Sequence, residues 1–318
     1  MKGCSGLRCH EKKKKRAIGG DARAESVLFD QESQKSHETL TSLSLSATIF
    51  NPVNSSPITP SSDAVQKTAI GRRILSRGAS ANEYSVRLAA SPEDVRAAQT
   101  LRFLVFNLEL QEGLEESYLT LRDEDAYDTA CDHLLVECAG EVVGTYRMQT
   151  GETAARHQGF YSAQEFDLAP FEPIRAQVLE LGRACVHSEH RNLRVLSMLW
   201  RGIASYARER GCRYLLGCSS LTSQDAEEGL ALYEMLARKH LAPLEFRTLP
   251  LPSWICPVPA TEREPAPVPR APKLLTAYLS LGAKICAPPA LDREFKTIDF
   301  LTLLDLHNLP ASAVEFLQ

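Results

Sequence analysis

The chain has 318 residues, of which 44% are hydrophobic and 24% charged, so it can bury a sizeable core. No run approaches the roughly 18 consecutive apolar residues of a membrane-spanning helix, so we do not expect an integral membrane protein. The start MKGCSGLRCHEKKKKR lacks the apolar region of a secretory signal, so we do not expect an exported protein. The formal net charge is −4, and the acidic body beyond residue 85 argues against general nucleic-acid binding, which needs a basic face.

Residues 1–82 differ in composition from the rest of the chain. They are rich in Ser, Thr and Lys, lack sustained apolar periodicity, and include the turn-forming stretch NPVNSSPITPSS at 51–62. This pattern predicts a mostly disordered extension. The basic run Lys12–Arg16 is then either a solvated tail or a segment attracted to an anionic membrane surface, at about 1 kcal/mol per basic residue.

From residue 83 onward the apolar pattern alternates between strand and helix periods. Ser91 resembles an N-cap with Pro92 at the first helical position, which predicts a helix running towards Asn107. A second helix from Asn192 ends at Gly211, and Ser223 is expected to cap a third. A further short helix is predicted over Lys273–Leu281. The predicted strands are Tyr84–Ala90, His133–Cys138, Val142–Met148, Val178–His187, Tyr214–Ser219 and Ile298–Leu306.

This order of elements predicts one α/β domain over residues 83–318, with a mixed central sheet and helices on both faces. The nine cysteines are odd in number and form no CxxC pair, which indicates neither a disulfide framework nor a zinc cage. His133 and His187 are the only histidines in strand motifs, and no cluster has metal-ligand spacing. We therefore expect no metal and mostly buried, unreactive thiols.

Several linked motifs resemble those of one family. They are LRFLVF at 101–106, DAYD at 125–128, CDHLLV at 131–136, VVGTYRMQ at 142–149, FYSAQEFDL at 160–168, ELGRACVHSEHRN at 180–192, LWRGIASYA at 199–207 and PPALDREFKTIDFLTLLDL at 288–306. Together they are similar to the L-ornithine Nα-acyltransferases, a branch of the GNAT acyltransferase superfamily often labelled hemolysin-like. A more distant resemblance is to acyl-homoserine-lactone synthases and long-chain N-acyl amino acid synthases. The resemblance implies a GNAT-like fold in which two parallel strands, here Val178–His187 and Tyr214–Ser219, splay apart around the donor's pantetheine arm.

The resemblance also implies an activity. A 3-hydroxy fatty acyl group would pass from the 4′-phosphopantetheine thioester of acyl carrier protein to the α-amine of L-ornithine, giving lyso-ornithine lipid. The donor is a substrate, so no bound cofactor is implied. The implied partners are acyl carrier protein, L-ornithine, transiently an anionic membrane surface, and a second O-acyltransferase that acts on the product. The implied location is the cytoplasm, peripheral to the inner face of the cytoplasmic membrane.

The resemblance makes Glu180 the candidate that accepts the amine proton, directly or through water. The alternative is a structural Glu180–Arg183 pair that only fixes the strand. Arg183 and five other positions match charged and aromatic residues of the related families, and they are expected to order the acceptor pocket as a carboxylate–guanidinium network, unless that network is purely structural. Asp125 is the favoured contact for a cationic amino acid. The other four are Arg102, Phe106, Asp128 and Arg147.

The loop before the second helix carries the donor-binding candidates Arg191, Asn192 and Arg194. Common acetyl-CoA enzymes have a glycine-rich turn here, and this chain has none, which favours a carrier protein's single phosphate over the pyrophosphate of CoA. Arg194, Arg201 and Arg208 recur at intervals of seven. They form either a solvated helical face or a dock for acidic acyl carrier protein.

Three alternatives to ornithine acylation stay open at this point. Glycine or another amino acid could replace ornithine as acceptor, or the product could be an acyl-homoserine-lactone-like signal. A non-enzymatic, membrane-active hemolysin-like protein is the third. The chain lacks the amphipathic apolar segment that such lysis would need.

Overall fold

The computed structural model describes residues 83–258 and 268–317. The predicted disordered extension 1–82 and part of the proline-rich loop lie outside the described residues. Eight strands are described: β1 Tyr84–Leu88, β2 Asp132–Cys138, β3 Glu141–Thr150, β4 Val178–Val186, β5 Tyr214–Leu221, β6 Lys284–Ile285, β7 Ala290–Asp292 and β8 Thr297–Asp305. The α-helices are α1 Pro92–Phe103, α2 Ser117–Thr120, α3 Gly151–Arg156, α4 Leu193–Glu209, α5 Ala226–His240, α6 Lys273–Ser280 and α7 Ala311–Leu317.

The strands form one mixed sheet in the order β1-β2-β3-β4-β5-β8-β6, with β7 also paired to β8. The neighbours are antiparallel except β4 and β5, which run parallel. Those two strands pair only over Val178–Glu180 and Tyr214–Leu216. Beyond Glu180 they separate, which confirms the predicted splayed pair and opens a gap in the middle of the sheet.

Helices pack on both faces of the sheet, as predicted. On one face α4 places Val195, Leu199 and Ile203 against Leu134 and Val136 of β2 in the main core cluster. The alternating strand residues point the other way. On that second face lie Arg147 of β3 and Glu180 of β4, with α1 contacting both strands. The second face also carries apolar clusters, which include Val178 and Leu216 and Leu101 and Cys185, and the polar candidate residues lie among them.

The first predicted helix has the expected start. Ser91 is its N-cap, and its hydroxyl accepts from the Asp94 amide at 3.3 Å. The α-helix ends at Phe103, however, and Leu104–Glu109 continues as a π-helix. A π segment inside a helix is most often found at functional sites.

Several details of the sequence prediction were wrong or incomplete, and the short elements α2, α3, α7, β6 and β7 were not predicted. The N-cap of α5 is Asp225, whose carboxylate accepts from the Glu227 amide at 2.9 Å. Ser223 lies two residues earlier and instead accepts from the Asp225 amide at 3.0 Å. The pattern also missed the 3₁₀ segments Tyr161–Gln164 and Ala169–Gln177 before β4, because such short turns have no long apolar period. Within the described residues, the structure contains no helix long and apolar enough to cross a bilayer.

Candidate active site

Glu180 lies on β4 at the last position paired with β5, where the gap opens. Its carboxylate is 96% buried and accepts two backbone hydrogen bonds, from the Tyr161 amide at 2.7 Å and from the Ser162 amide at 2.8 Å. These amides are free to donate because they begin a 3₁₀ turn, whose first N–H groups have no partner within the turn. The missed turn therefore holds the main candidate residue.

Two effects set the pKa of Glu180 in opposite directions. Burial raises it, and the hydrogen bonds from Ser162 and Tyr161 lower it, with a net rise above the usual value. Gln149 lies directly opposite on β3 and, with its nitrogen turned towards β4, donates to Glu180 Oε2 at 3.2 Å. A carboxylate with a raised pKa is suited to accept a proton near neutral pH. The alternative Glu180–Arg183 pair is wrong, because Arg183 pairs with other carboxylates.

β4 has a bulge just beyond Glu180. Gly182 pairs with Arg147 and Cys185 with Thr145, so Arg183 and Ala184 together oppose one residue of β3. Arg183 takes a left-handed backbone conformation with φ of 50°, which is uncommon for a residue with a Cβ. Across the gap, a Cβ at Gly217 would lie 2.3 Å from the Leu181 carbonyl oxygen, so only glycine lets the strands meet before they part.

The Arg102 side chain is fully buried on α1 and pairs with two aspartates. Its Nη2 lies 2.6 Å from Asp128 Oδ2, and its Nε lies 2.8 Å from Asp123 Oδ2. Gln99 also donates to Asp128 at 2.9 Å. Burial acts to raise the pKa of Asp128, but Arg102 and Arg147 outweigh it and hold that pKa well below the usual range. Asp128 is therefore ionised at neutral pH.

Arg147 and Arg183 extend this network towards Glu180. Arg147 Nη1 donates to Asp125 Oδ1 at 2.6 Å and to Asp128 Oδ1 at 3.0 Å. Arg183 Nη2 donates to Asp125 Oδ2 at 3.1 Å, and its Nε lies 3.3 Å from Asp123 Oδ2. The network thus contains three arginines and three aspartates, including Asp123, and its formal charges balance. Sequence reasoning missed Asp123, which stands two residues before the DAYD motif.

Aromatic rings enclose the guanidinium of Arg183. Its Cζ lies 4.2 Å from the ring centroid of Phe295 and 4.9 Å from that of Tyr161. Phe106, at the π-helix, contacts Phe295 edge to face with centroids 5.8 Å apart. The predicted Phe106 thus reaches the site indirectly through Phe295, a residue that the sequence pattern did not single out.

The donor-binding candidates lie at the start of α4. Asn192 is its N-cap and accepts from the Val195 amide at 3.1 Å. Arg191 donates to the Val186 carbonyl at 3.1 Å and forms a two-pronged ion pair with Glu109. The Arg194 guanidinium stacks over Tyr84, 5.4 Å from the ring centroid. All three lie around the N-terminus of α4, a position whose backbone amides favour phosphate groups, and their role in donor binding stays a prediction.

Arg194, Arg201 and Arg208 are all exposed along α4, so they do share one outer face. Whether that face docks a carrier protein stays a prediction. His133 is 99% buried, contacts the Asp128 carbonyl oxygen at 3.1 Å, and burial lowers its pKa, so it stays neutral. Burial raises the pKa of the Cys218 thiol well above its usual value, which makes it a poor nucleophile.

A second group of carboxylates, missed at the sequence level, lies on the same face of the sheet. Glu165, Asp292 and Asp299 each place one oxygen within 4.8 Å of the others, and all three are at least 96% buried. Burial and mutual repulsion raise the pKa of Glu165 and raise that of Asp299 to about 6. A set of three carboxylates can hold a cation, either a metal ion or an ammonium group.

Residues 101–201 match the family described as acetyltransferase (GNAT) domain. The L-ornithine N(alpha)-acyltransferase of Agrobacterium fabrum is 33% identical over 245 residues, covering 72% of this chain and 83% of the relative. That of Rhizobium meliloti is 34% identical over 245 residues, covering 70% and 80%. The chain belongs to the L-ornithine N(alpha)-acyltransferase family. An N-acyl amino acid synthase structure from uncultured soil microbes aligns over 74% of this chain and 98% of its own, at 12% identity and a TM-score of 0.45.

Within this L-ornithine N(alpha)-acyltransferase family member, the structure brings six of the predicted residues into one buried region. They are Arg102, Asp125, Asp128, Arg147, Glu180 and Arg183. The donor candidates lie apart from this network, at the start of α4. The acidic cluster of Glu165, Asp292 and Asp299 adjoins the network. One signal for it existed, since Glu165 stands in FYSAQEFDL at 160–168 and Asp292 and Asp299 in the last motif.

Proposed function

We propose that this protein transfers a long-chain, typically 3-hydroxylated, fatty acyl group to the α-amine of L-ornithine and so forms lyso-ornithine lipid. The observation that carries the proposal is the buried Glu180 carboxylate, with its raised pKa, at the point where β4 and β5 part. Family membership supports the same reaction. A gap in a sheet admits an extended thioester arm, and a carboxylate at its end meets the amine that attacks.

In the proposed reaction the amine nitrogen attacks the thioester carbon. Glu180 accepts the ammonium proton directly or through a water molecule, and the new C–N bond forms as the C–S bond breaks. The proton passes to the leaving thiolate, so the enzyme returns to its starting state. No covalent acyl-enzyme is needed because the thioester is already activated.

Backbone amides of β4 beyond Glu180 are suited to stabilise the oxyanion of this step. There β4 has no further pairing with β5, and the bulge at Arg183 and Ala184 turns its backbone out of the regular ladder. Fixed N–H donors that meet charge only in the transition state are among the strongest catalytic devices. The buried network of Arg102, Arg147 and Arg183 then positions β4 and the segment 123–128, which carries its three aspartates.

The donor in this proposal is acyl carrier protein carrying a 4′-phosphopantetheine thioester. The start of α4 supports it, because Arg191 and Arg194 flank a helix N-terminus without a glycine-rich turn. A single phosphate needs fewer backbone amides than a pyrophosphate. The exposed basic face of α4 supplies charge complementary to an acidic carrier protein.

The product would have one acyl tail and a polar head, so we propose release at the inner face of the cytoplasmic membrane. One chain binds a bilayer only weakly and reversibly, and a peripheral enzyme suffices. A second O-acyltransferase would then complete a two-tailed lipid. Co-sedimentation with vesicles containing anionic lipid tests the peripheral contact.

The test of the proposed function is mass spectrometry of the purified full chain with 3-hydroxyacyl carrier protein and each common amino acid plus ornithine. A single acyl-ornithine product is expected, with acyl-CoA a poorer donor. Acylation of glycine or another amine would keep the chemistry and replace the acceptor, whereas a lactone product would indicate signal synthesis. If no combination of donor and acceptor gives a product, the proposal is overturned and the non-enzymatic, hemolysin-like alternative is favoured.

A further inference from the structure

The acidic cluster, defined above as Glu165, Asp292 and Asp299, is assembled from distant parts of the chain. Glu165 ends a 3₁₀ turn, Asp292 ends β7, and Asp299 lies in β8. A fourth acid, Glu112, is 93% buried at its edge, where it hydrogen bonds to Thr222 and interacts with Asp299. Four acidic side chains are thus concentrated in one buried place.

The cluster has no matching positive charge. In residues 83–258 and 268–317, none of its three carboxylates forms an ion pair with Lys, Arg or His. Arg183 acts on Asp292 from a distance, but its own guanidinium is already paired with Asp123 and Asp125. Among the described residues, no N–H or O–H group donates to the Oε1 atom of Glu165, although the residue is 99% buried. Asp292 accepts from the Glu294 and Phe295 amides, and Asp299 accepts from the Thr297 hydroxyl. Hydrogen bonds of this kind do not supply a counter-charge, and buried carboxylates without a positive partner are costly unless they are protonated or bind a cation.

Cys218 and Ser162 link this cluster to Glu180. Cys218 Sγ lies 3.7 Å from Glu165 Oε2 and 3.6 Å from Ser162 Oγ. The Ser162 amide in turn donates to Glu180 Oε1 at 2.8 Å. Ser162 and Cys218 therefore separate the carboxylate that would accept the α-amine proton from the acidic cluster.

Asp125, which the sequence favoured as the cation contact, is placed differently. Its Oδ1 accepts from Arg147 at 2.6 Å and from the Tyr127 amide at 2.9 Å, and its Oδ2 accepts from Arg183 at 3.1 Å. Burial acts to raise its pKa, but the two arginines hold it below the usual value. A carboxylate already neutralised by two guanidinium groups has little attraction left for an ammonium group.

We infer that the acidic cluster binds the side-chain ammonium group of the acceptor amino acid while the α-amine lies at Glu180. This inference rests on the proposed function, because it requires an acceptor with a second amine. An ammonium group has three N–H donors, which matches three converging carboxylates. The cluster would thus select a diamino acid and keep its second amine away from the thioester.

The test compares L-ornithine with L-norvaline, which has the same carbon skeleton without the side-chain amine. In the full-length wild-type protein with long-chain acyl carrier protein, kcat/KM for ornithine should exceed that for norvaline by about 100-fold, since the unmet carboxylates penalise the apolar end. In Asp299→Asn and Glu165→Gln this ratio should fall to about tenfold or less, mainly through a higher KM for ornithine. The value for norvaline should change by less than about threefold.

Glu234→Gln on the exposed face of α5 is the matched carboxylate-to-amide control and should leave the ratio unchanged. A second readout needs no turnover: ornithine should raise the Tm of the wild type, and norvaline should not. Equal use of both acceptors by the wild type would overturn this inference while the acyltransfer function stands. If no acceptor is acylated, the proposed function itself is wrong. A stoichiometric divalent metal whose removal by EDTA lowers the Tm would also overturn it, by filling the cluster.

Discussion

The Glu180 carboxylate is held by the same two amides that lower its pKa, and burial raises that pKa by more. Both oxygens are therefore fixed in direction, and the raised pKa still favours binding of a proton. A carboxylate on the surface would have neither property. This combination is what the proposed function requires of the residue that accepts the amine proton.

Glu180→Gln tests this role, because an amide of the same shape cannot accept the proton. We expect kcat to fall by about 10²–10⁴-fold with little change in the Tm. At saturating ornithine, the wild-type kcat should fall as the pH falls through the raised pKa of Glu180, since only the ionised form accepts a proton. The residual activity of the variant should lack that acidic limb. Glu172→Gln, at an exposed pair with Arg175, is the control.

Asp128→Asn tests the buried network, because it leaves Arg102 and Arg147 without a shared partner. We expect a loss of about 3–5 kcal/mol in the free energy of unfolding by urea. The contribution of Asp128 is present above its ordinary pKa and is lost as the pH falls towards its lowered folded-state pKa, so the wild type and variant should converge in acid. Glu152→Gln, in an exposed pair with Arg156, should cost less than about 1 kcal/mol.

For individual residues, the linked motifs in the sequence identified candidate site residues but not the contacts that these residues make. Glu180, Arg147 and Arg183 stand in recognisable strands, and the resemblance attached a function to them. Asp123, Tyr161 and the acidic cluster were missed because their significance comes from distant pairing: Asp299 meets Glu165 only after β8 has joined β5. Whether a buried carboxylate has a counter-charge depends on the fold and cannot be predicted from a local sequence pattern.

Among the elements, strands and helices with long apolar periods were predicted closely, with α4 the clearest case. Its N-cap Asn192 and its buried stripe are as expected, whereas the short 3₁₀ turns and the π segment were not predicted. The cap of α5 was misplaced by two residues, because Ser223 and Asp225 are both good caps and only the backbone angle decides. Competing local signals of equal strength account for this error.

The outer face of α4 supports a prediction for the whole helix. Reversing the charge at Arg194, Arg201 and Arg208 to Glu should raise the KM for acyl carrier protein by about tenfold or more at low salt, with less effect at high salt because ions screen the attraction. The kcat at saturating donor should be nearly unchanged. Reversal of Arg238 and Lys239, exposed on α5, is the control. An unaltered KM and salt response would make the α4 face a merely solvated surface.

For the whole molecule, the acidic cluster predicts an unusual response of stability to pH. Asp299 has a folded-state pKa of about 6, above its ordinary value, so the folded protein holds a proton that the unfolded chain has released. Stability from this group is full below the ordinary pKa and is lost as the pH rises through about 6. Without acceptor, the free energy of unfolding should fall by about 2–3 kcal/mol between pH 4.5 and 7.5 in the wild type, and by less in Asp299→Asn. Urea unfolding at a series of pH values measures it.

A second test for the whole molecule is the removal of residues 1–80. The described sheet begins at Tyr84, and its cores are formed by residues that follow it. Turnover in a detergent-free assay and the Tm should therefore stay close to those of the full chain. A collapse of either would make the extension part of the folded domain and contradict the predicted boundary at residue 82.

β8 lies between β5 and β6, although it is the last of the described strands in chain order. On the ribosome, β1 to β5 therefore emerge long before the strand that covers the β5 edge. Until residues 297–305 arrive, that edge is open to pairing with other chains, and Asp299 is missing. A nascent or prematurely terminated chain is thus expected to aggregate more readily than the complete chain, in which β8 pairs with β5.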